Sequence, residues 1–530
     1  MVTFRPLVSA IALGGIVAVG ALSGNALASS SGQPELVSAR LPYAKVMPAL
    51  LPNSKENTSV IAQNNGTAAA TIAMDIYTPG GVLIPSASKV ETNVPPDGTR
   101  TFAQAINSGL TPGFRGVGVL SSDQPINALL VRDIEQNGTG KKSYSVHNAY
   151  GTGGNLITMP YIANNLANTF QTRFAIANTG NTTACVTVNY AFDGGGSFND
   201  APTGQAGCAA GYPVPVGGQI AFGPQTVAAE ATQAMPGATA GKQMSATVTA
   251  TGAPVTVAVD AYVTTGERKL ASYDGFIVGG AGSTTDDIGT TVLIPLALKI
   301  DGYYSQILLS NPNAVAASAT ITYTGTVSGG AAQTFTVTRS IPANGTANHS
   351  VYELGSPIPE NFVGAASITS DQPIAAVLFR VKMTSAGSFI DEDLYTAVNG
   401  LPSDRATTVA KLPLIFRRIA GGGGLSGYNT WVSVSVADGG SATVTLTTIT
   451  DTSSTPASCG AAATYTTTKT INGSFVFYQN ADSDNGLGAN PTCLWAGMKI
   501  TSDKPIIAIA NVTTDIALGD NDGEYNAFGS

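Results

Sequence analysis

Charge, aromatic rings and histidine are scarce in this sequence, and each scarcity excludes something. Across 530 residues, Asp, Glu, Lys and Arg make up 11% and Phe, Trp and Tyr 7%, with two Trp, two His and four Cys. Helical scaffolds need surface runs of Leu, Glu, Lys and Arg at a 3.6-residue period, and no such run of three or four turns is present. With a net charge of -8 and no basic cluster longer than a pair such as Lys141-Lys142 or Arg417-Arg418, nothing resembles a phosphate-tracking face, so nucleic acid is excluded as a partner. His147 and His349 sit in unlike contexts, are read as surface or turn residues, and assemble no triad. No Gly-x-Ser-x-Gly elbow occurs, and the glycines at 421–424 lack the Lys-Ser/Thr of a phosphate loop. No enzymatic chemistry is expected.

What is abundant is glycine, at 61 residues, together with Thr, Ala, Val and Ser, a mixture that favours short strands joined by tight turns. Residues 1–28 read as an export signal: Arg5 begins it, Leu7 to Leu22 form its apolar core, and Ala26-Leu27-Ala28 supplies a small-x-small cleavage site. The remainder carries no apolar stretch long enough to span a bilayer as a helix, so an extracellular or cell-surface protein without a membrane span is expected. Four cysteines suit an oxidising compartment. Cys185 with Cys208 and Cys459 with Cys493 is the preferred pairing of the three open ones, because a crossed pairing would tie distant parts of the chain together.

Internal repetition is the main signal. Ser122-Asp123-Gln124-Pro125-Ile126 recurs as Ser370-Asp371-Gln372-Pro373-Ile374 and as Ser502-Asp503-Lys504-Pro505-Ile506, with a weaker copy at Thr251-Gly252-Ala253-Pro254-Val255. Hydrophobic-Pro pairs keep step: Leu41-Pro42, Met159-Pro160, Ile294-Pro295 and Leu412-Pro413. Each is followed by an apolar strand ending in Asn or Asp, such as Phe174 to Asn178 and Ile307 to Asn311, and then by a second strand after a small-residue turn. The repeats close on Tyr273-Asp-Gly-Phe276, Tyr395-Thr-Ala-Val398 and Tyr525-Asn-Ala-Phe528, with the looser Tyr144-Ser-Val-His147 in the first, and the tyrosine is read as a ring in the core with its hydroxyl on backbone. Asp-Gln-Pro between strands is read as a structural turn. The expected fold is all-β: after the signal peptide at 1–28, four tandem immunoglobulin-like antiparallel β-sandwich domains at 29–152, 153–285, 286–404 and 405–530, strung as beads in a row.

Few residues invite chemistry. Asp391-Glu392-Asp393 is the densest acidic run and reads as a solvated loop. No cofactor is required, but calcium is the one worth carrying: Asp482 and Asp484 in one short acidic loop, and Asp520, Asp522 and Glu524 in another, offer hard oxygen ligands without completing a twelve-residue calcium loop. Trp431 and Trp495, both in the last repeat, read as core residues and make that repeat the best placed to bind a ligand.

On the strength of the opening hydrophobic-Pro pairs, the Ser-Asp-Gln-Pro-Ile turns and the Ala/Gly/Thr/Val-rich strands, residues 40 to 530 resemble tandem immunoglobulin-like modules of bacterial surface proteins of the surface-layer or adhesin-stalk type. That resemblance implies a structural or adhesive surface component that self-associates or joins other envelope components. The competing expectation is a binding module for carbohydrate or a partner protein, with its site in the fourth repeat.

Overall fold

The computed structural model describes residues 37–529 except 49–54, 112, 137–140, 150–152, 168, 225–232, 264–268, 280–286, 383–393, 421–426, 460–463, 480–492, 515–518 and 521. The expected signal peptide, Asp391-Glu392-Asp393, Asp482, Asp484 and most of the expected Gly-rich junctions therefore lie outside the described residues. Among those described there is no α-helix, only single 3-10 turns. The strands form five sheets, antiparallel throughout except for two contacts of two residue pairs each.

One order of strands recurs in four stretches of chain. An opening strand (Val37–Pro48, Leu156–Asn164, Gly289–Ile300, Thr407–Arg417) pairs with the strand that leads into the Asp-Gln-Pro turn. A second strand (Lys55–Asn64, Phe170–Asn178, Tyr303–Ser310, Tyr428–Val436) pairs with the strand that leaves that turn. A closing strand (Lys141–Asn148, Lys269–Asp274, Leu394–Asn399, Gly523–Asn526) flanks it on the other side. In the third and fourth stretches the strands before and after the turn run on as single 21-residue strands, Phe362–Lys382 and Leu494–Thr514. Alternation decides the faces: in Ala317–Val327, Ala319, Ile321 and Tyr323 are buried while Thr320, Thr322 and Thr324 point outward.

The repeated sequence signatures each satisfy a backbone need. Asn178 at the end of its second strand donates to the Thr182 and Val214 carbonyls and accepts from the Gly180 N–H. Asn64 and Asn311 do the same in their own stretches. Asp123, Asp371 and Asp503 of the Asp-Gln-Pro turns each accept the N–H of a residue at or near the start of the third strand, from Thr71, Ser318 and Thr443, at 2.8 Å. Every opening Pro sits at a bulge, where Pro and the next residue lie opposite a single partner residue, for example Pro295 and Leu296 between Ile294 and Ala297. A proline cannot donate to the ladder, and the bulge is where a strand tolerates it. The bulge frees an N–H and a carbonyl, and a tyrosine hydroxyl takes both: Tyr273 bonds Tyr161 and Tyr525 bonds Leu414. Disulfides join Cys185 to Cys208 and Cys459 to Cys493, with Cα atoms 5.6 Å and 4.7 Å apart.

The beads-in-a-row expectation is corrected by the packing. Each core takes in side chains from the outer sheet face of a neighbouring stretch. Ala175 and Ala258 of the second stretch enter the first core, Val377 and Phe379 of the third enter the second, Ile509 of the fourth enters the third, and Leu129 and Val131 of the first enter the fourth. The chain thus closes on itself, and residues Gly519–Asp520 pair directly with Lys142–Ser143. A closed arrangement hides the apolar outer faces that a row of beads would leave in water.

Replacing Asn311 with Ala leaves the Val315 and Pro342 carbonyls and the Asn313 N–H without their shared partner. Guanidinium unfolding is expected to show a loss of about 2 kcal/mol, against less than about 0.5 kcal/mol for Ala at exposed Thr324.

Candidate functional site

The four closing strands meet one another around a common axis, Lys141–Asn148 touching Lys269–Asp274, that touching Leu394–Asn399, that touching Gly523–Asn526, and the last touching the first. Register places Asn148, Asp274, Asn399 and Asn526 at the same position, each opposite the fourth residue of the strand that leaves the Pro turn. Their side chains form a ring of bonds. Asn148 Nδ2 donates to the Asn526 carbonyl (3.1 Å), Asn526 Nδ2 to the Asn399 carbonyl (2.8 Å), and Asn399 Nδ2 to the Asp274 carbonyl (2.8 Å). Asp274 cannot donate, and instead its Oδ2 accepts the Asn148 N–H at 3.1 Å. Its other oxygen takes His147 Nδ1 at 3.1 Å.

Charged groups are buried on the same axis. Arg132 binds Glu56 Oε1 at 2.7 Å and Asp260, and His147 Nε2 meets Asp260 Oδ1 at 3.0 Å. Arg380 of the third stretch reaches Asp522 Oδ2 at 3.1 Å and Glu524 Oε1 at 2.9 Å of the fourth. Asp520 accepts the Leu270 N–H at 2.6 Å and the Tyr395 N–H at 2.9 Å, so one carboxylate ties three stretches together. The guanidinium of Arg380 also lies 5.8 Å from the ring centre of Trp431.

Burial sets the protonation of these groups against their partners. For Asp260, desolvation is opposed and outweighed first by Arg132 and then by His147, which hold the carboxyl well below its usual range. For His147, burial works against the charged ring, yet the hydrogen bonds and charges of Asp260 and Asp274 prevail and raise it to about 9. Desolvation pushes Asp520, Asp522 and Glu524 up, and Arg380 offsets part of this for Asp522 and Glu524.

Several sequence expectations change here. His147 and His349 are not surface or turn residues: they are 1% and 0% exposed. His349 Nδ1 lies 2.7 Å from the Tyr323 hydroxyl, and burial lowers it to about 4. Both ring nitrogens of His147 are engaged by carboxylates, which leaves neither to take a proton from a nucleophile. Asp520 accepts two backbone N–H groups, and Asp522 and Glu524 face Arg380. Trp495 is buried edge-on to Phe416, centroids 4.7 Å apart, whereas Trp431 is half-buried against Tyr478. The closing tyrosines are not all equivalent: Tyr273 and Tyr525 share their position with His147 and Val398, three residues beyond Tyr144 and Tyr395. Sequence reading missed the Asn/Asp ring because it aligned on those tyrosines. The usable signal was the Asn-Ala, Asp-Gly, Asn-Gly and Asn-Ala pairs at 148, 274, 399 and 526.

No family model and no curated protein matches the chain. Among solved structures, "Crystal Structure of Thermotoga maritima 1070" is similar over 21% of this chain and 92% of its own, at 14% identity and a TM-score of 0.18. Among the described residues, no helix is long and apolar enough to cross a membrane.

The axis has a pH signature. His147 has a folded pKa above its unfolded value, so its stabilisation is complete below about pH 6.5 and is lost as pH rises through about 9. The raised carboxyls act in the same direction, their contribution being lost as pH rises above the unfolded carboxyl range. Melting temperature is expected to fall from pH 6 to pH 10, and to fall less in His147→Gln, by calorimetry. Arg380→Ala, which strands two buried carboxylates, is expected to lose about 3–5 kcal/mol in guanidinium unfolding at pH 7.

Proposed function

We propose that the chain is an exported, non-catalytic structural or adhesive surface protein, in which four immunoglobulin-like β-sandwich domains close into one ring-shaped body. The observation that carries this reading is the use made of its converging charged groups. Arg132, Asp260, His147, Arg380, Asp522 and Glu524 are at most 2% exposed and are joined to one another across segment boundaries. Groups spent on holding segments together are a scaffold's use of charge, whereas general acid–base work needs them in reach of a substrate.

Association with other copies or with envelope components is served by the outer strands. Among the described residues, Ala332–Ile341 pairs on one side only, with Ala317–Val327, and Thr464–Asn472 only with Ser441–Thr450. Neither contains proline or a bulge, and Thr334, Thr336 and Thr338 are exposed along the first. Long unblocked edges are the form that accepts a further strand. Two disulfides fit an oxidising, extracellular setting.

Immunogold microscopy of native envelopes with antibody to the chain tests the reading. Surface labelling, and association of the purified protein that weakens in Thr336→Lys/Thr338→Lys, are the expected results. Label confined to the cell interior would overturn it.

A further inference from the structure

The ring has four junctions built on the same register, and comparing them singles one out. Where the fourth stretch meets the first, the contact is sealed by charge: Lys411 and Lys499 reach Asp97 at 2.7 and 3.4 Å, and Arg100 reaches Asp451 at 3.4 Å. Packing there is so close that a Cβ on Gly497 would lie within 3.0 Å of Thr99, Gln63 and Asp97. Where the first meets the second, Tyr77 lies over Gly217, and the Gln219 N–H bonds the Pro79 carbonyl at 2.9 Å. Where the second meets the third, Thr158 and Ser310 join hydroxyls at 2.9 Å and Thr346 bonds the Pro160 carbonyl.

The junction between the third and fourth stretches departs from this. By strand register, Leu293, Ser367 and Thr326 occupy the places of Lys411, Lys499 and Asp451, and Ala365 that of Gly497. On the facing side, Phe475 takes the place of Arg100, and Asn472 that of Asp97, one residue before the turn glycine. Every charged residue of the seal has become a hydroxyl, an amide or an apolar group. What remains is a groove of about 730 Å³, across which Ser435 donates to the Pro295 carbonyl at 3.3 Å.

We propose that this groove binds a neutral oligosaccharide. Its volume lies within the range of small-molecule sites, roughly 300–1,000 Å³. The outward-facing hydroxyls of Thr322, Thr324 and Ser367 stand on adjacent strands of one wall, matched to the hydroxyl rim of a sugar. Tyr478 on the opposite wall offers ring surface to its C–H faces. The charges present are already engaged: Lys469 Nζ sits 3.6 Å from the centre of the Phe475 ring, and Asp438 pairs with Lys504 at 3.1 Å. An uncharged, polyhydroxylated ligand is what such a lining accepts at least desolvation cost. Ala332, Lys469 and Asn472 of the two outer strands are part of its lining.

The experiment is calorimetric titration of the full chain with neutral hexasaccharides of glucose, xylose, mannose and N-acetylglucosamine, and with the acidic hexamer of galacturonic acid. At least one neutral hexamer is expected to bind with Kd below about 1 mM. Ser367→Lys/Asn472→Asp copies the charged seal of the neighbouring junction and is expected to weaken that binding at least about tenfold while the melting temperature holds. Thr324→Gln, at an exposed position where folding is not at stake, is expected to weaken it as well. Failure of every neutral hexamer to bind, binding of the acidic hexamer alone, or affinity unchanged in both variants would overturn the proposal.

Discussion

Buried polar groups must be bonded, and four strand ends that meet around one axis present many of them at once. Asn148, Asp274, Asn399 and Asn526 meet this constraint with short side chains that reach the neighbouring backbone. Asparagine suits the place because it carries both a donor and an acceptor, so it can link the backbone of one stretch to that of the next. Asp274 lacks the donor, and the defect is made good locally by the Asn148 N–H and by His147. One carboxylate in place of an amide thus accounts for a buried histidine, and the histidine for part of the electrostatics around Asp260.

The closure that results is head to tail. Each stretch gives the outer face of one sheet to its neighbour's core, so no single stretch completes its packing alone. Contacts of this kind form a closed ring when the rotation per step returns to the start, and an open filament when it does not. Ion pairs such as Arg380 with Asp522 and Glu524 then act as registry devices, since a slip by one residue would leave charges buried without partners. The ring is nonetheless unequal around its circumference. At the places equivalent to the Asp97 seal, charge closes one junction, an aromatic ring and hydroxyls fill two others, and the fourth is a groove.

Much of the local structure was legible beforehand because it depends on neighbours in sequence. Strand alternation, the Asn that ends a second strand, the Asp-Gln-Pro turn and both cysteine pairs follow from side chains acting over short loops or within one repeat. The axis was not legible, because its partners lie more than a hundred residues apart: His147 and Asp260 are separated by 113 positions and Arg380 and Asp522 by 142. A lone histidine in a polar context looks the same in sequence whether it faces water or two carboxylates. The acidic residues at 520–524 likewise gave no sign in sequence that Arg380 and two backbone N–H groups from other stretches lie against them.

What the sequence by itself determined was an all-β chain with a fourfold-repeated pattern, punctuated by prolines and polar turn residues, since period-two burial and turn chemistry act over a few residues. Only the tertiary structure decided that the repeats close on one another, which acids face arginine, and which junction stays open. Those outcomes depend on shape and charge matching between surfaces that no local pattern encodes, and on the requirement that the groups meeting at the axis find partners from another stretch of the chain.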